Sequence, residues 1–282
     1  MIQIGQYKIS LLEAGDFKLD GGAMFGVVPK PLWSKTNPSD ELNRIAMTTR
    51  CLLIVSQDRK IIVDTGIGHK ESEKFNSIFA IDYSRCTLEK SLADLDIDPA
   101  EITDVIYTHL HFDHAGGSTR MDGTNVVPVF KNAQHYVQMR QYEHALSKCD
   151  RDKASYFDHN YEPVRQDGQL KLLEGDWELV PGIHLLTTSG HTPDMQTVLV
   201  TEGRTSLWYP ADLIPLSSQI PLPYIMGYDL QPLVTLEDKK RFLTRACEEH
   251  WHIAYEHDPF RAVSLLTRDD RGGIIRGEDV AL

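Results

Sequence analysis

Apolar residues alternate loosely with polar ones from the start of the chain. Ile2, Ile4, Tyr7, Ile9 and Leu11 predict a pair of strands turning at Gly5. Residues 50–55 and 60–63 are β-branched and apolar around Gln57-Asp58-Arg59, which predicts a hairpin ending in Asp64-Thr65-Gly66. Helical spacing follows over about 70–79 and 87–95, the second with Leu88, Leu92 and Leu95 on one face. A short buried strand is expected over 102–107, another over 133–137, and a helix over 139–147. The charged span 150–169 reads as a surface excursion. From 170 onward strands dominate, at 170–173, 177–180, 183–188, 197–201 and 205–209. Thr235-Leu236-Glu237-Asp238 resembles a capping box opening a helix to about 250. Phe242, Leu243 and Ala246 would face inward on it, and Lys239, Lys240 and Arg241 outward. A strand over 252–256 follows. Between 21 and 33, glycines and prolines alternate with Met24, Phe25 and Trp33, which argues against a regular element there. An apolar loop needs a cover: the core, a second subunit or a ligand.

Length and charge narrow the class. No linker is visible in the 282 residues, so one unit over 1–282 is expected. The net charge is −12 with no Lys/Arg run, which argues against a nucleic-acid partner. Cys51, Cys86, Cys149 and Cys247 lie far apart and form no metal or redox pair, so reduced thiols are expected. The first residues carry neither a cationic start nor an apolar h-region, and no stretch is long enough to span a membrane. A cytoplasmic protein without a membrane association is the expectation.

The chemistry concentrates in Thr108-His109-Leu110-His111-Phe112-Asp113-His114-Ala115-Gly116-Gly117, on the loop after the strand at 102–107. Three imidazoles and a carboxylate within six positions are costly to bury alone, whereas a divalent cation satisfies all four. His109 and His111 alternate, so both can point to one side, while Asp113 and His114 follow where the chain turns. That suits two adjacent metals. The alternative is a solvated His-rich loop.

This motif resembles the metal-binding signature of the metallo-β-lactamase superfamily. The resemblance implies an α/β fold: an αββα sandwich of two mixed sheets with helices on the outer faces. It also implies three further ligands, and candidates occur in order: His191 in Ser-Gly-His-Thr-Pro, Asp212 in Tyr-Pro-Ala-Asp, and His257 in Glu-His-Asp. On that pattern His109, His111 and His191 hold one metal, and Asp113, His114 and His257 the other. Asp212 bridges them, and Asp64 steadies a ligand histidine. The two divalent ions implied are Zn first, with Mn, Co or Fe open. The remaining histidines, His144 and His159 among them, fall outside the pattern and read as solvated or structural.

Two departures exclude relatives. The main dizinc β-lactamases carry Cys where Asp212 stands, and the di-iron oxygen-reducing branch carries Glu where His111 stands. The segment Met24-Phe25-Gly26-Val27-Val28-Pro29-Lys30 resembles the quorum-quenching lactonase branch. The implied activity is hydrolysis of an ester bond, most concretely in an N-acyl-homoserine lactone. A phosphotriesterase, a glyoxalase II-like thioesterase and a non-catalytic metal-binding module are the alternatives. Met24, Phe25, Trp33, Ile220 and Leu222 would line a pocket for an apolar portion of a small-molecule substrate. Many lactonases of this branch carry Tyr three residues past the bridging Asp, where this chain has Pro215. Tyr224 and Tyr228 are the substitute donors, or else core aromatics. Asp113 and Asp212 complete the catalytic candidates. A homodimer is a further expectation.

Overall fold

The computed structural model describes residues 1–147 and 149–281. Two seven-stranded mixed sheets stack face to face. In the first, Ile2–Ile4, Tyr7–Asp20, Arg44–Val55 and Lys60–Val63 pair antiparallel. Asp104–Ile106, Gln134–Gln138 and Leu170–Leu173 then add in parallel. The second runs antiparallel through Trp177–Val180, Ile183–Thr188, Met195–Glu202 and Thr205–Tyr209. It takes His252–Ala254 in parallel and closes antiparallel with Val263–Arg268 and Ile274–Asp279.

The two-residue period of the strands explains the layering. Leu52, Ile54, Ile61 and Val63 face the second sheet and meet Ile183, Leu185, Val198 and Val200 in one core. Their neighbours Leu53 and Ile62 face the other way, beneath Leu88 and Leu92 of the helix Leu88–Ala93 and Tyr142 and Ala145 of Met139–Ser147. Lys60–Val63 and Asp104–Ile106, which pair in parallel, are buried on both faces, so Ile61, Ile62 and Val63, like Val105 and Ile106, read as continuous apolar runs rather than alternating ones. Each fully buried aliphatic side chain contributes about 1.5–3 kcal/mol relative to exposure. On the second sheet, the helix Pro232–Glu248 lays Phe242 flat on Trp208, with ring centroids 5.2 Å apart. The result is an αββα sandwich. Among the described residues no helix is long and apolar enough to cross a membrane.

Several local expectations change. The Gly/Pro-rich segment forms two short helices, Gly21–Phe25 and Lys30–Trp33. Asp20 caps the first by accepting the Ala23 N–H at 2.8 Å, and Pro31 sits in the opening turn of the second, where its missing N–H is harmless. The long helix starts at Pro232, not Thr235. Thr235 is inside it and donates its hydroxyl to Asp229 at 2.8 Å instead of capping. Lys239 points inward, fully buried, and donates to the carbonyls of Gln219 (2.6 Å), Pro221 (2.9 Å) and Tyr224 (2.8 Å). His144 is not solvated: it is largely buried and donates to Asp152 at 2.7 Å.

Candidate metal centre

Two segments of the first sheet and three of the second end at one seam. The chain leaves the parallel strand Asp104–Ile106 and carries His109 and His111 before the short helix Phe112–Ala115, which holds Asp113 and His114. Asp64 follows the strand Lys60–Val63. From the opposite sheet come His191 in the hairpin after Thr188, Asp212 in the turn after Tyr209, and His257 after Ala254. Asp64 (φ 56°) and Ala211 (φ 47°), the neighbour of Asp212, adopt a left-handed backbone that disfavours a side-chain-bearing residue. Strain of this kind collects where surrounding structure must aim a side chain.

The donor atoms form two adjacent sets. His109, His111, His191 and Asp212 make one, and His114, Asp212, Glu256 and His257 the other, each with ligand atoms within 4.8 Å of one another. Asp212 spans both. Its Oδ2 is 3.1 Å from His191 Nε2, and its Oδ1 is 3.2 Å from His257 Nε2 and 3.7 Å from His114 Nε2. Asp113 stands slightly back, 3.8 Å from His257 and 3.9 Å from His114. Glu256, which the motif reading passed over, approaches His114 Nδ1 at 3.1 Å, alongside Asp64 at 3.0 Å. Asp64 therefore holds one edge of the ring and leaves Nε2 turned toward Asp212, while the buried Glu256 carboxylate lies beside it with no hydrogen-bond partner among the described residues. Asp64 is itself held by the Thr108 N–H (2.8 Å) and hydroxyl (2.7 Å), and His191 Nδ1 by Asp229 at 2.9 Å.

These side chains suit metal ions better than protons. His111 Nδ1 lies 3.0 Å from His109 Nε2 and 3.2 Å from His191 Nε2, contacts that a single N–H cannot satisfy together. His111 Nε2 and Asp212 Oδ1 are buried and have no hydrogen-bond partner among the described residues. Burial and mutual repulsion hold His109 and His111 well below the usual imidazole pKa, the neutral form that ligates. Burial opposes protonation of His191 and His257 as well, but Asp212 outweighs it and raises them to about 10 and about 9. The same histidines press Asp212 well below the carboxylate range, against the effect of burial. A His/Asp set of this kind fits divalent zinc, manganese, cobalt or iron.

The seam opens into a cavity of about 470 Å³. Its floor is His111, Asp113, His191, Asp212 and His257, and its apolar wall includes Leu19, Met24, Met47, Phe79, Phe112 and Met226. Of the expected pocket residues only Met24 reaches it. Phe25 and Trp33 stack face to face at 5.3 Å in the core behind the wall, Ile220 lies in the inter-sheet core, and Leu222 packs against that core. Tyr228 lines the cavity, and burial raises its phenol pKa to about 12. Tyr224 instead sets its edge against Phe25, 6.0 Å between centroids. The surface excursion contributes the opposite rim through Arg151, Asp152, Ala154 and Ser155.

The profile of the metallo-beta-lactamase superfamily matches residues 45–248. The chain belongs to that superfamily. Its curated relatives include the N-acyl homoserine lactonase AiiA of Bacillus thuringiensis subsp. kurstaki, 29% identical over 221 residues, 74% of this chain and 80% of the relative. Among solved structures, a probable metal-dependent hydrolase from Staphylococcus aureus shares 31% identity over 99% of this chain and 100% of its own, with a TM-score of 0.90. AidC, a dizinc quorum-quenching lactonase, superposes with a TM-score of 0.80 over 100% of this chain and 97% of its own. At 19% identity that likeness speaks to the fold.

Within this superfamily member, some features of the site leave no sequence signal. Phe79, Met47 and Leu19 come from segments with ordinary core patterns, and only the folded chain shows that they face the cavity. Glu256 does have one: it is an acid in an otherwise buried stretch, directly beside the candidate ligand His257, whereas Asp229 lies among exposed and half-buried residues and gives none. A buried acid is almost always paired, so the pairing with an imidazole was open to inference.

Proposed function

We propose that the protein is a dinuclear metal-dependent lactonase that opens N-acyl-homoserine lactones or related lactones. One observation carries this reading: two buried His/Asp sets sharing Asp212 form the floor of a largely apolar cavity of about 470 Å³. The names of the curated relatives support it. His109, His111 and His191 would hold one ion, and His114 and His257 the other with Asp113 near it, while Asp212 serves both. Such ions supply a water nucleophile usable near neutral pH and stabilise negative charge developing on the carbonyl oxygen. The protein's own residues do the rest. Asp64 fixes His114 and Asp229 fixes His191. Leu19, Met24, Phe79, Phe112 and Met226 exclude water and accept an acyl or alkyl portion. Asp113, at the floor, is placed to take a proton and pass it to the leaving alkoxide. Tyr228 stays protonated at working pH and is the phenol available to donate to a substrate oxygen.

The test is a panel on metal-loaded protein with a matched metal-stripped control, using a lactone, a thioester and a phosphotriester. Metal-dependent turnover with the highest kcat/KM on the lactone supports the proposal. Preference for the thioester or phosphotriester moves the substrate class, and no turnover on any of the three returns the chain to a non-catalytic metal-binding role.

A further inference from the structure

The polar rim of the cavity contains an acceptor that the hydrolytic reading does not use. Asp152 lines the cavity, yet its side chain is only 9% exposed. Its Oδ2 accepts from His144 Nε2 at 2.7 Å, and its Oδ1 is buried with no hydrogen-bond partner among the described residues. The carboxylate is held rather than loose. His144 packs edge-on against Tyr156 at 5.7 Å, Tyr156 packs against His111 at 4.7 Å, and the Tyr156 hydroxyl donates to Gln141 at 3.1 Å. A line of locked rings thus joins the acceptor to the candidate metal floor. Above it, Arg151 donates to the Gly227 carbonyl at 2.6 Å and ties this rim to the opposite wall.

A buried carboxylate oxygen without a donor is unfavourable, and a ligand N–H relieves it. Hydrocarbon carries no such group, nor does an unsubstituted lactone ring. We infer that Asp152 is a specificity residue that accepts the N–H of an acylamino group on the substrate, selecting lactones substituted by an amide over lactones with plain alkyl chains. This rests on the lactonase reading and narrows it. A site built around a hydrogen-bonded polar group discriminates strongly against analogues that lack the partner, because its own group is then stranded.

The experiment compares an N-acyl-homoserine lactone with a γ-alkyl lactone of equal chain length, on wild-type and Asp152→Ala proteins loaded with the same metal. Asp152→Ala is expected to lose roughly 10- to 100-fold in kcat/KM on the amide-bearing lactone, the range for a hydrogen bond to a charged group, and little on the alkyl lactone. Asp152→Asn keeps an uncharged acceptor and a partner for His144. It should lose less, again only on the amide-bearing substrate, and it decides the matter if the alanine variant is unstable. A purely structural role for Asp152 lowers both substrates by the same factor, and that outcome overturns the assignment alone. Wild-type protein that opens neither lactone overturns the lactonase reading and this assignment with it.

Discussion

Lys239→Met gives the sharpest test of how the cavity wall is held. The substitution keeps most of the apolar stem but removes three donors from a fully buried position, stranding the carbonyls of Gln219, Pro221 and Tyr224. Each buried carbonyl left without a donor costs about 1–3 kcal/mol, while relief from burying an ammonium returns part of that sum. A net loss of about 2–4 kcal/mol follows. With unfolding entropy near 2.1 cal/mol/K per residue, 282 residues give about 0.6 kcal/mol/K, so Tm should fall by roughly 3–7 °C. The function should suffer too. The same loop donates from Gln219 to the Met24 carbonyl at 2.6 Å and continues into Met226, Gly227 and Tyr228 on the cavity. Calorimetry and steady-state kinetics on a lactone read both effects, with KM expected to rise more than kcat falls. A variant melting within 1 °C of wild type with unchanged KM would refute the claim that Lys239 holds this wall.

Other expectations follow from the same geometry. Carefully loaded protein should contain two metals per chain by elemental analysis, and Asp212→Ala should weaken retention of both against a chelator, because each Asp212 oxygen faces a different set. Loss of one ion only would limit Asp212 to a single set. Phe112→Ala should raise KM for long-chain lactones more than for short ones, whereas Phe25→Ala should cost about 3–5 kcal/mol of stability with no chain-length preference. Equal behaviour of the two variants would erase the distinction between wall and core. Asp113→Asn, at full metal occupancy, should lose far more activity on an alkyl lactone than on an aryl ester, whose leaving group departs unprotonated. Equal losses would leave Asp113 no role in proton transfer. Burial lowers His135 to about 3, so the unfolded chain binds its proton between about pH 6.5 and 3 while the folded chain does not. The stability tied to its neutral form is present above pH 6.5 and is lost as pH falls. His135→Gln should flatten the acid limb of wild-type stability by up to about 1.4 kcal/mol per pH unit, read by urea titrations from pH 5 to 7. Parallel limbs would refute this.

The strands that carry the candidate ligands were legible because their patterns are local. A β-branched run ending in turn residues needs no tertiary information, and the histidine-rich segment after Tyr107 declares its chemistry by composition. The cavity was not legible. Met24 and Phe25 are neighbours with the same apolar character, yet one faces the cavity and the other Trp33, a choice made by the Asp20-capped helix that glycines seemed to forbid. Lys239 reads as a surface residue because charge predicts exposure. Its inward turn depends on three carbonyls 15 to 20 residues away in a loop without periodicity. Asp152 sits in a run of charges whose solvated appearance hides one buried oxygen.

The seam between the sheets has a consequence for biosynthesis. His109, His111, Asp113 and His114 hang from the first sheet, and His191, Asp212 and His257 from the second. Neither sheet alone holds either donor set, and contacts this distant in sequence form late because long loops must close first. A nascent chain released from the ribosome short of residue 257 carries a histidine cluster but no complete pair of sets. The first set can close once residue 212 is made and the halves have docked, whereas the second waits for His257, so a product truncated between them would carry one complete donor set and not two.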